Sequence, residues 1–140
     1  MRRPFALVAM TALTLASAAQ AETFKAYSTI SPKSLQWSYD SDYAYRDART
    51  NRVVVLQAIG KVGATPRLGP SGPGAPDGVG SVVAIDCKAR SIVLLGSYAP
   101  SKALVIDENW RSTKTKGIEA GDDRDLMTAV CPGAAQLPAK

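Results

Sequence analysis

The chain has no histidine and only two cysteines, Cys87 and Cys131, among its 140 residues. Without histidine it cannot build a Ser-His-Asp or Cys-His nucleophile, or a histidine metal centre. No lysine has a serine three positions before it, so the Ser-x-x-Lys arrangement of acyl enzymes is absent as well. A C-x-x-C redox pair is missing, and a zinc site would need two ligands beyond the cysteines. No run of like charge exceeds two residues. With 17 basic and 12 acidic residues the chain is mildly basic, without the dense Lys/Arg stripe of a nucleic-acid binder. The chain is therefore expected to be neither an enzyme nor a nucleic-acid binder, and to need no metal or cofactor.

The first 21 residues, MRRPFALVAMTALTLASAAQA, place Arg2 and Arg3 before an uncharged apolar stretch, Phe5 to Leu15, and end in Ala19-Gln20-Ala21. That is the pattern of a secretory signal peptide cleaved after Ala21. The apolar stretch falls well short of the roughly 20 residues of a bilayer span. Residues 22–140 are then one exported domain, found in the periplasm or at the cell surface and not inserted in the membrane. The residue directly after Ala21 is Glu22 rather than cysteine, so a lipid anchor there is not expected.

Export changes the meaning of the two cysteines, because an even count in an oxidising compartment reads as a disulfide. A Cys87–Cys131 bridge closes a loop of about 45 residues and removes denatured-state entropy worth about 4 kcal/mol in the chain-entropy model. Its surroundings indicate what it joins. Arg52 to Ile59, Ser81 to Asp86 and Ser91 to Tyr98 are short, β-branched and apolar, as strands are, and Ala103 to Glu108 is weaker in the same sense. Near the end, GDDRDLMTAVCPG changes period: Asp122 suits an N-cap, Asp123 and Asp125 suit the first turn, and Pro132-Gly133 suits a stop. Leu126 and Val130 fall on one helical face, with Met127 and Cys131 beside them. Period-two alternation puts Val83, Ile85 and Cys87 on one strand face. The predicted fold is α+β and mainly β: an antiparallel sheet with a C-terminal helix tethered to it by the disulfide.

The segment from Gly60 to Gly80 is dense in glycine and proline and reads as a long loop, either a binding loop or an insertion in a hairpin. Asp40 with Asp42, and Asp122, Asp123 and Asp125, are short acidic clusters that lack the glycine and distal glutamate of a calcium loop. A hydrolase using two carboxylates has no acidic residue in a telling context. Two groups remain as candidate binding residues. Trp37, Tyr39, Tyr43 and Tyr45 form either a recognition surface or the apolar cover of the first strands. Arg111, Lys114 and Lys116 form either a basic patch for acidic glycans or a solvated edge.

The segments VVAIDC (82–87), RSIVLLGSYA (90–99), ENW (108–110) and DLMTAVC (125–131) resemble the surface-adhesin protein E family of Gram-negative bacteria, over about Phe24 to Pro132. The resemblance implies an antiparallel sheet with a disulfide-tethered C-terminal helix. It also implies a non-catalytic binding protein, adhesive toward host matrix proteins and cells and able to form a homodimer. The expected function is an exported, adhesin-like module that binds a protein or an acidic glycan. The alternative is a periplasmic envelope or accessory protein with a bacterial partner.

Overall fold

The computed structural model describes residues 23–66 and 78–140. The signal-peptide expectation for residues 1–21 and the centre of the Gly/Pro-rich segment lie outside the described residues. Among the described residues seven strands precede one α-helix: β1 (Phe24–Ala26), β2 (Leu35–Asp40), β3 (Tyr45–Arg46), β4 (Val53–Lys61), β5 (Val79–Asp86), β6 (Ser91–Tyr98), β7 (Lys116–Gly117) and α1 (Gly121–Val130). They form one antiparallel sheet in the order β1-β2-β4-β5-β6-β7, with β3 also paired to β4. The strands reach further into the Gly/Pro-rich segment than its composition suggests, since Gly60 and Lys61 complete β4 and Val79 and Gly80 open β5.

Strands β4 and β5 are nearly continuous in apolar residues because the sheet is covered on both sides. On one side Val53, Val55, Val83, Ile85 and Ile92 pack with Leu126, Met127 and Val130 of α1. On the other, Val54, Leu56, Val82, Ala84 and Leu95 meet Tyr98 and Trp110, with Phe24, Tyr43, Tyr45 and Leu104 at the margin. A helix of ten residues is marginal on its own in water, so α1 depends on this docking. The disulfide fastens it: Cys87 directly follows β5 and Cys131 directly follows α1, with their Cα atoms 5.8 Å apart.

Three local expectations change. Asp122 is not the N-cap; Ala120 is, in extended conformation, and Gly121 at φ +73° turns the chain into the helix, so Asp122 and Asp123 occupy the first turn. The helix does not stop at Pro132-Gly133 but tightens into a 3-10 turn over Cys131–Gln136, with Pro132 near its start, where its missing N–H is not needed. Ala103 to Glu108 forms no strand. A Cβ on Gly96 would meet the Val105 carbonyl oxygen at 2.2 Å, so the segment crosses over β6 rather than running beside it. Its hydrogen bond to β6 runs from the Asp107 N–H to the Leu95 carbonyl at 2.8 Å.

Candidate functional site

On the side of the sheet that carries α1, β4 presents Val53, Val55, Gln57 and Ile59 in turn, and β5 presents Ile85, Val83, Ser81 and Val79. The helix packs on the apolar half, and the polar step begins where that packing ends. Register aligns Tyr39 with Gln57, Gln57 with Ser81, and Ser81 with Ser97, giving a polar row across four strands. One hydrogen bond joins two of its members, Gln57 and Ser81, and neighbouring side chains hold Gln57 and Ser97. The Tyr27 hydroxyl donates to Gln57 Oε1 at 2.6 Å, Gln57 Nε2 donates to Ser81 Oγ at 2.9 Å, and Lys102 Nζ donates to Ser97 Oγ at 3.1 Å. Burial, then the carboxylates of Asp122, Asp123 and Asp125, push the Tyr27 phenol far above its ordinary range, so it stays a donor.

Apolar rows flank the polar one. Trp37, Ile59 and Val79 lie opposite one another on the far side, and Val55, Val83 and Leu94 on the helix side. Gln57 and Ser81 are each 9% exposed, whereas Val79 is 45% and Leu94 56% exposed, large values for apolar side chains within a sheet. The β5–β6 ladder shifts register by one residue at Val82/Val83, next to Leu94. Such bulges bend a strand and re-aim a side chain.

A groove of about 560 Å³ opens over this region. Gln57, Ser81 and Val83 belong to its sheet floor, Ile92 and Leu94 to the β6 side, and Thr113, Lys114, Lys116 and Asp123 to its rim. Lys116 Nζ pairs with Asp123 Oδ2 at 3.3 Å. Among the described residues no carboxylate pairs with Lys114, which is exposed.

No protein-family model, curated protein or solved structure matches this chain.

The seven candidate binding residues divide between the two sides of the sheet. Trp37 and Tyr39 share the face of the polar row, and Lys114 and Lys116 rim its groove. Tyr43 and Tyr45 pack on the opposite side, their ring centroids 6.2 Å apart. Arg111 is separated from the lysines: its guanidinium lies 4.7 Å over the Trp110 ring and donates through Nε and Nη2 to Oδ1 of fully buried Asp47. Thr50 donates its N–H and hydroxyl to the other Asp47 oxygen. This is a clasp between the Trp110 turn and the turn before β4. The acidic clusters serve local structure too, since Asp40 Oδ1 accepts the N–H groups of Thr23 and Asp42.

Sequence reasoning passed over Gln57, Ser81, Leu94, Thr113 and Tyr27. One signal was available: Gln57 interrupts Val53-Val-Val-Leu56 and Ala58-Ile59, a polar residue inside a run otherwise apolar. What the groove offers is hydrogen-bond partners, apolar walls and one uncompensated lysine. Those are means of holding a ligand.

Proposed function

We propose that this protein is an exported binding module that recognises a macromolecular partner through the open half of the helix-bearing sheet face. One observation carries the reading: a nearly buried polar row bracketed by apolar rows, with Val79 and Leu94 exposed on either side of it and a groove opening onto it. Two large apolar side chains exposed beside a groove on one sheet face give a partner something to cover. A few convergent polar groups among apolar ones are what fix orientation in a binding site. The missing catalytic chemistry, the leader-like first 21 residues and the resemblance of VVAIDC and DLMTAVC to adhesin segments support the same reading.

The test is capture of laminin, vitronectin and heparin by the immobilised exported chain, compared with a Val79→Glu variant. Val79 is half-exposed, so the variant is expected to fold and to lose capture. No capture of any probe, or capture unchanged by Val79→Glu, contradicts the reading. Fractionation of the tagged chain separates the two classes of partner: surface protein faces a host, periplasmic protein faces the envelope.

A further inference from the structure

The groove's floor and walls differ in chemistry, and together they select a ligand class. Ser81 Oγ accepts one Gln57 amide proton, and among the described residues nothing accepts the Ser81 hydroxyl proton or the second Gln57 N–H. Both side chains are nine-tenths buried and line the groove. An acyl chain laid there would bury those donors unpaired, which is unfavourable. A small inorganic anion would leave the exposed Leu94 uncovered. A sugar ring suits both, because its hydroxyls exchange hydrogen bonds with the floor while its C–H face rests on Leu94. The next apolar row, Trp37, Ile59 and Val79, lies one step further along the sheet, where a second ring would continue.

Charge narrows the class further. Lys116 is offset by Asp123, but Lys114 stands on the same rim without a carboxylate. A bound acidic group would supply that counter-ion, and desolvation by the ligand would strengthen the contact. Resting on the reading above that this face is a recognition surface, we infer that the groove binds an acidic oligosaccharide. Ser81 and Gln57 hold its hydroxyls, Leu94 its ring face, and Lys114 its carboxylate or sulfate. Two sources carry that chemistry, host matrix glycans and bacterial envelope polysaccharides.

Backbone-amide NMR titration of the exported chain tests the inference. The acidic probes are a heparin tetrasaccharide and a deacylated lipopolysaccharide core oligosaccharide; the controls are neutral cellotetraose and a hexaglutamate peptide. Binding of at least one acidic saccharide is expected, with shifts clustered at Gln57, Ser81, Leu94 and Lys114, and the tighter of the two identifies the source. Lys114→Glu, an exposed change that leaves the fold intact, should weaken binding about tenfold, and Arg49→Glu, at an exposed position outside the groove lining, should leave it unchanged. The inference is overturned by binding of neither acidic saccharide, by equal binding of cellotetraose or hexaglutamate, or by shifts gathered around Tyr43 and Trp110. Should Val79-dependent capture of laminin or vitronectin persist in that event, the recognition surface stands and only the ligand class falls.

Discussion

At the scale of single residues, the strongest electrostatic contact lies away from the groove. Asp47 is wholly buried, and burial alone would raise its pKa, yet the hydrogen bonds from Arg111 and Thr50 outweigh it and hold the carboxyl down to about 2. A carboxyl depressed in the folded state stabilises fully above its unfolded pKa near 4, and that stabilisation is lost as pH falls through about 2. The clasp should therefore contribute about 2 kcal/mol at neutral pH and little below pH 2. Asp47→Asn also turns an amide N–H toward the Thr50 donors, so it should lower stability at pH 7 by at least about 2 kcal/mol and flatten the acid limb. Urea unfolding of both proteins between pH 7 and pH 2 measures this, and an unchanged variant at pH 7 would show that the clasp is incidental. The clasp also explains why Arg111 does not act with Lys114 and Lys116. Spacing placed the three near one another, but only burial of Asp47, 64 positions earlier, decides where the guanidinium goes.

At the scale of elements, β4, β5 and β6 were legible because β-branched runs between turn residues have few other ways to bury themselves. Helix α1 was legible from its apolar spacing. Its start was not, because a positive φ at Gly121 set the cap rather than a side chain. The segment from Ala103 to Glu108 misled because its composition suits a strand, while the lack of a side chain on Gly96 lets it cross over the sheet. The disulfide belongs to this scale, since it holds a marginal helix on the face it covers. Replacing Cys87 and Cys131 together by alanine should cost about 4 kcal/mol by the chain-entropy account. Denaturant midpoints of the oxidised protein and this variant, read with hydrogen exchange, should show α1 losing protection before β4 and β5. Equal midpoints would mean that apolar docking alone holds the helix.

At the scale of the whole molecule, the candidate site exists only through register. Tyr39, Gln57, Ser81 and Ser97 become neighbours because four antiparallel strands align them, and β4 and β5 are joined across residues 62–78. Composition cannot supply that alignment, so the sequence yielded Lys114, Lys116, Trp37 and Tyr39 as separate hints without the polar floor between them. The fold then divides its two sides: one carries Trp110, Tyr43, Tyr45 and the clasp, and the other carries α1, packed on Val53, Val55, Val83 and Ile85. Function is assigned to the groove on the helix-bearing side. Hydroxyl-radical footprinting of the protein with and without its captured partner tests that assignment most directly. Labelling of Trp37 and Leu94 should fall on binding while that of Tyr43 and Tyr45 holds steady. Protection of Tyr43 and Tyr45 with Trp37 and Leu94 unchanged would place recognition on the opposite side and contradict the account.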